Sequence, residues 1–132
     1  MTDVGALEAE IGLRLPSEYS DFLATHKADD QASLFVNVGD LRRDVRCLLD
    51  LQCTEASYSV LGMYRLVSDA IPTGTIPIGC DWAGNLYLIV CSGERVGAVL
   101  WWDHERLPGE DHVEEMSESF GQFTRNLVRG EP

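Results

Sequence analysis

Leu86-Tyr87-Leu88-Ile89-Val90-Cys91, then Ser92-Gly93-Glu94-Arg95, then Val96-Gly97-Ala98-Val99-Leu100-Trp101-Trp102: two apolar runs divided by a short polar break decide the fold of this chain. Short continuous runs of β-branched and aromatic residues, bounded by turn formers, are the pattern of a hairpin buried at the centre of a sheet. Trp101 and Trp102 are adjacent, so on a strand they face opposite sides of the sheet, one toward the core and one partly exposed. Just upstream, Asp81-Trp82-Ala83-Gly84-Asn85 supplies the glycine and asparagine that a tight turn needs. Before that turn, Pro72, Gly74 and Pro77 punctuate an extended piece, Thr75 to Gly79, which pairs with the first hairpin strand. A three-stranded meander is predicted.

Outside the meander, Val4, Leu7 and Ile11 recur at helical spacing and Gly12 follows where a helix stops. Tyr19, Phe22, Leu23 and His26 share a face of a second helix, with Pro16 suited to its first turn. Leu34, Phe35, Val36 and Val38 form a short β-prone run, Gly39 and Asp40 turn the chain, and Val45 to Leu51 reads as a strand. Ser57 caps a helix predicted to run to about Ser68. Val113, Met116, Phe120, Phe123 and Leu127, at spacings of three and four, predict one amphipathic C-terminal helix packed on the sheet. Helices first, strands in the middle and a helix last describe a single α+β domain over residues 1–132.

The 22 acidic and 10 basic residues give a formal net charge of −12, and Lys27 is the sole lysine. Such a chain repels phosphates, so direct nucleic-acid binding is disfavoured, and a basic protein partner is favoured. Half of the excess lies between Asp103 and Glu118, where seven acids stand against one arginine. No apolar run approaches the roughly 20 residues that cross a bilayer, and the acidic N-terminus does not read as a secretory signal. A cytoplasmic protein is expected. Cys47, Cys53, Cys80 and Cys91 match neither zinc-ribbon nor CxxC spacing and read as reduced thiols among apolar neighbours.

No nucleophile–base signature, GxSxG motif or Walker loop is present. Asp103-His104-Glu105, with Glu110, Asp111 and His112 behind it, carries metal-ligand chemistry, but the spacing fits no helical site and Pro108 and Gly109 make it a loop. No catalytic group, cofactor or metal is expected. His26, at the end of its helix, suits the negative end of the helix dipole. A tryptophan beside an acidic loop is an apt interface anchor, since aromatics are enriched at binding hot spots. The candidate partner-binding residues are therefore Trp82, Trp102, Asp103, Glu105, Glu110, Asp111, Glu114 and Glu115.

Four segments carry a family resemblance: Leu15-Pro16-Ser17-Glu18-Tyr19-Ser20-Asp21-Phe22-Leu23, Ile76-Pro77-Ile78-Gly79-Cys80-Asp81 with Gly84-Asn85, Gly97-Ala98-Val99-Leu100-Trp101-Trp102-Asp103-His104-Glu105, and Ser119-Phe120-Gly121-Gln122-Phe123. In this order they resemble the LPxxYxxFL, IPIGxD…GN, GxVxxWDHE and SFxxF segments of the SUKH superfamily. One departure is Thr25 to Asp30, where members often have an asparagine and glycines. The resemblance implies a central curved, mainly antiparallel sheet with N- and C-terminal helices around it. It also implies binding without catalysis: bacterial members neutralise secreted toxins, often nucleases or deaminases, and fungal members regulate cell-wall synthesis. A cognate, basic toxin is the implied partner; a regulatory or scaffolding role toward endogenous proteins is the alternative.

Overall fold

The computed structural model describes residues 3–28, 34–38, 41–51, 59–105 and 113–129. Helices α1 (Val4–Ile11) and α2 (Ser17–Thr25) come first, followed by strands β1 (Leu34–Val38), β2 (Leu41–Val45) and β3 (Cys47–Leu48). Helix α3 (Val60–Val67) precedes β4 (Thr75–Cys80), β5 (Leu86–Val90), β6 (Val99–Trp102) and β7 (Val113–Ser117), and the chain closes with α4 (Phe120–Arg125) and β8 (Leu127–Arg129). The strands form two sheets, ordered β2-β1-β8 and β3-β4-β5-β6-β7, with every strand pair antiparallel. The fold is α+β, as expected, but the sheet is in two parts. A single residue, Arg46, separates β2 in the smaller sheet from β3 in the larger, so one extended segment serves both.

Local chemistry accounts for the helix ends. The Asp3 carboxylate accepts the Ala6 N–H at 2.7 Å and starts α1, which stops at Gly12. Pro16 sits at the N-cap of α2 and not inside its first turn. Ser59 caps α3 by accepting the Gly62 N–H, two residues later than Ser57, which lies outside the described residues along with Gly39 and Asp40.

The meander forms as predicted. Gly79 lets β3 approach β4 closely, since a Cβ there would lie 3.0 Å from the Cys47 carbonyl oxygen and from Leu48 Cδ2. The β5–β6 connection is longer than the predicted break: Val96 and Gly97 belong to a turn closed by Ala98 N–H to the Arg95 carbonyl, leaving β6 to begin at Val99.

The predicted C-terminal helix is replaced by β7, α4 and β8. Met116 packs into the main core while Val113 packs against a second cluster of Ile71, Leu86, Leu88 and Trp102. Both faces of the larger sheet are therefore apolar, and on β7 Val113 and Met116 each meet one cluster while Glu114 and Glu115 between them are exposed, so apolar residues three apart mimic a helix. β7 is the edge strand of the larger sheet, and its pairing with β6, including Trp102 with Val113, satisfies the β6 backbone groups that would otherwise lie open. The helix begins later, where Ser119 Oγ accepts the Gln122 N–H at 3.1 Å and Gln122 Oε1 accepts the Glu118 N–H at 2.8 Å.

The main core joins α1, α2, α4 and both sheets through Leu7, Tyr19, Leu23, Val36, Val45, Ile76, Ile78, Tyr87, Ile89, Val99 and Phe123. An aromatic cluster ties α2 to α4, with the rings of Tyr19 and Phe120 5.0 Å apart edge to face and those of Phe22 and Phe120 5.0 Å apart. His26 follows α2 and donates from Nε2 to the Leu48 carbonyl at 2.8 Å while stacking on Phe22. Its work is to fasten α2 to β3. Cys80 and Cys91 are free thiols, and Cys47 and Cys91 are buried; Cys53 lies outside the described residues.

Candidate functional site

Antiparallel register brings Leu86, Trp102 and Val113 level at one end of the larger sheet. The 81–85 turn and residues 103–105 leave the sheet from this end. The Asp81 carboxylate organises the turn: Oδ1 accepts the backbone N–H groups of Ala83 (3.0 Å) and Asn85 (2.8 Å). Its other oxygen accepts Asn85 Nδ2 and Trp101 Nε1, each at 3.1 Å. Asn85 Oδ1 in turn accepts the His104 backbone N–H at 3.2 Å and its ring Nδ1–H at 2.7 Å. One hydrogen-bonded chain thus runs from Trp101 through Asp81 and Asn85 to His104. Gly84 completes it, since its φ of 92° suits glycine and a Cβ would press within 3.3 Å of the His104 ring.

This bracing holds Trp82 outward. The residue is 61% exposed, its backbone N–H donates to Asp44 Oδ2 at 2.7 Å, and the Arg46 guanidinium lies 4.8 Å from its ring centroid. Trp102 does not share that role. The two adjacent tryptophans do face opposite sides, but Trp102 is only 7% exposed, packed with Ile71, Leu86 and Leu88. Trp101 is half-buried in the main core's margin beneath Arg43, 4.2 Å from its centroid.

The acidic candidates separate. Asp103 Oδ1 accepts the Glu105 N–H at 2.9 Å, and the Glu105 side chain is 80% exposed beside the turn. Glu110 and Asp111 lie outside the described residues, as does His112. Glu114 sits across from Trp101 in the register, so Arg43 covers that indole and meets the Glu114 carboxylate at 2.6 Å. Glu115 pairs with Arg95 instead. Consecutive residues on a strand face opposite ways, so the two glutamates belong to different surfaces, each with an arginine at hand. Trp82, Asp103 and Glu105 remain together at the sheet end.

Sequence reading missed Asp44, Arg43 and Arg46 as supports of this end. Their signal was absent locally because they reach it across the fold, with Arg43 and Glu114 71 positions apart. Among the described residues no group of three metal-binding side chains converges, and no helix is long and apolar enough to cross a membrane. A separate cleft of about 320 Å³ is lined by Leu23, Ala24, Thr25, His26, Lys27, Asp50 and Leu51. Its two most reactive groups are engaged: His26 with the Leu48 carbonyl, and Asp50 Oδ2 with the Ala28 N–H at 2.9 Å.

An uncharacterised SPbeta prophage-derived protein, YokK, of Bacillus subtilis (strain 168) is 29% identical over 139 aligned residues, covering 92% of this chain and 71% of the relative. No solved structure matches. The model of the SMI1 / KNR4 family (SUKH-1) matches residues 2–126, nearly the whole chain, and spans the 81–85 turn, the Trp101-Trp102 strand and the Ser119 cap. This chain belongs to the SMI1 / KNR4 family (SUKH-1).

Proposed function

We propose that this chain is a non-catalytic protein-binding domain that acts as an immunity protein, neutralising a cognate secreted toxin. Family membership supports a toxin-immunity or regulatory role in general terms. The observation that carries the finer reading is Trp82: a large aromatic, exposed, yet fixed by a turn that the Asp81 and Asp44 carboxylates brace. An aromatic carried on a braced backbone, with the Arg46 guanidinium 4.8 Å from its ring centroid, loses less entropy on contact than one on a mobile loop, which favours it as an anchor. Asp103 and Glu105 emerge beside it and, with the overall charge of −12, favour a basic partner. Toxins that act on nucleic acid are commonly basic, which fits this charge. A relative described as prophage-derived is in keeping with a protein serving conflict between replicons.

The test is protection. Co-expression with the toxin encoded beside the gene should rescue growth, and Trp82→Ala or the pair Asp103→Asn, Glu105→Gln should weaken the rescue without lowering the amount of folded protein. Absence of protection by the unaltered chain would end the immunity reading.

A further inference from the structure

Cys47 on β3 and Cys80 on β4 stand directly opposite each other in antiparallel register. Residues so paired have Cα atoms about 4.5–5.5 Å apart, inside the roughly 4.4–6.8 Å that a disulfide spans. They also share a side of the sheet. Leu48 points into the main core, so alternation turns Cys47 the other way, toward the side on which Cys80 packs against the second cluster of Ile71, Leu86, Leu88 and Trp102. The Cys47 backbone N–H is directed at the Cys80 sulfur and holds it against β3. The Cys47 thiol donates to the Leu48 carbonyl at 3.5 Å, a weak contact that rotation about one side-chain bond gives up. Cys91 belongs to the main core, on the far side of the sheet, and stands apart from the pair.

The two thiols differ in access. Cys47 is fully buried and Cys80 half-buried, so a small oxidant meets Cys80 first. Burial raises the Cys80 thiol above its ordinary value of 9.0, against the opposing pull of the Arg46 guanidinium, so little of it is thiolate at neutral pH. Its oxidation is therefore slow and quickens as pH rises. β3 is two residues long and lies at the edge of its sheet, where backbone yields most readily to the small movement that bond formation needs. Both cysteines adjoin the candidate site: Arg46, which lies over Trp82, precedes Cys47, and Asp81, which braces the Trp82 turn, follows Cys80.

We propose that Cys47 and Cys80 form a reversible redox latch, a cross-strand disulfide closed by a peroxide that fastens β3 to β4 next to the Trp82 turn. The Cys80 sulfur attacks a peroxide oxygen, giving a sulfenic acid and, from hydrogen peroxide, one water. The Cys47 sulfur then attacks the Cys80 sulfur; the S–S bond forms as the S–O bond breaks, and the departing hydroxide takes up the Cys47 proton as a second water. Two thiols lose two hydrogens and two electrons in all, and hydrogen peroxide is reduced to two waters. Because a disulfide constrains the unfolded chain, the closed form is the more stable one. The latch acts on the protein's own framework and does not rest on the toxin reading.

The full chain treated with hydrogen peroxide, its remaining thiols then blocked with N-ethylmaleimide, tests it. Cleavage before aspartates puts the four cysteines in separate peptides: Cys47 in 44–49, Cys53 in 50–68, Cys80 in 69–80 and Cys91 in 81–102. Mass spectrometry should find 44–49 joined to 69–80, two hydrogens lighter than the separate peptides, with more of it at about pH 9 than at about pH 7 after the same time. The joined form should raise the urea midpoint by about 1 M or more, and dithiothreitol should reverse the gain. Cys47→Ala should instead stop at the Cys80 sulfenic acid, trapped by dimedone, with no gain in midpoint, which separates the latch from methionine oxidation. Cys80→Ser, at the half-buried position, is the second variant and should leave Cys47 reduced. Failure to join Cys47 to Cys80 under prolonged peroxide, linkage spread equally to Cys53 or Cys91, or a Cys47–Cys80 link that lowers the midpoint would overturn the proposal.

Discussion

Replacing Asp81 by asparagine changes little in shape and much in hydrogen bonding. The side-chain carbonyl oxygen of the introduced asparagine can still accept from the Ala83 and Asn85 backbone N–H groups, which now meet Oδ1 at 3.0 and 2.8 Å. The new amide NH₂ then faces Asn85 Nδ2 and Trp101 Nε1, both donors, in place of an oxygen that accepted both at 3.1 Å. Two donors lose their partner at a buried position. At ~1–3 kcal/mol for each donor left unsatisfied, and with some relief from rotation, Asp81→Asn should cost about 2–4 kcal/mol. Urea unfolding is the assay: with a slope of roughly 2 kcal/mol per molar, the midpoint should drop by about 1–2 M. Trp101→Phe, which removes one of the two donors, should cost less in the Asp81→Asn background than alone, with a coupling near ~1 kcal/mol. A midpoint shift below about 0.3 M, or additive costs in the cycle, would refute the claim that this carboxylate holds the turn.

Gly84→Ala should cost about 2 kcal/mol or more, because it combines a backbone angle unfavourable for alanine with a Cβ against the His104 ring, and thermal denaturation would show it. Ser119→Ala should remove about 1 kcal/mol by leaving the Gln122 N–H uncapped; an unchanged urea midpoint would count against the cap. Arg43→Ala should destabilise more than Glu114→Gln, since Arg43 loses both its ion pair and its cover over Trp101, a difference of about 1 kcal/mol in urea unfolding. Burial pushes the Cys91 thiol from its ordinary value of 9.0 up to about 12, and it also raises Cys80, Tyr19 and Tyr87. These groups are neutral in the fold and ionise more readily when unfolded, so the stability they contribute is complete below pH 9 and falls as pH rises toward 12. Unfolding midpoints measured at about pH 8 and 10.5 should decline; a flat profile would contradict the burial of these groups.

The hairpin and the turn before it were legible because their signals are local. Gly84 and Asn85 name a tight turn wherever they stand, and apolar runs such as 86–91 fit a strand covered on both sides. The C-terminal third misled because the apolar spacing of Val113 and Met116 is shared by a helix and by a strand between two apolar clusters, and Phe120, which continues it, already belongs to α4. Ser119 with Gln122 marked the true helix start, and giving that pair more weight than periodicity would have divided the segment correctly. The site was half legible. Trp82 and the acids at 103 and 105 are brought to one end of the sheet, but which of Trp101 and Trp102 is covered depends on Ile71 and on α3, elements outside their own strand. The pairing of Glu114 with Arg43 and of Glu115 with Arg95 likewise depends on distant parts of the chain, so a run of acids in sequence did not become a single acidic patch.

The measurement that bears most directly on the proposed function is the affinity of the purified chain for the purified cognate toxin domain that the proposal requires, sought first among the products of neighbouring genes, at about 0.05 and 0.3 M salt. The account predicts a one-to-one complex that forms more slowly at the higher salt, weakened roughly tenfold or more by Trp82→Ala and by Asp103→Asn with Glu105→Gln. No complex at either salt, or a complex indifferent to all three substitutions, would contradict it.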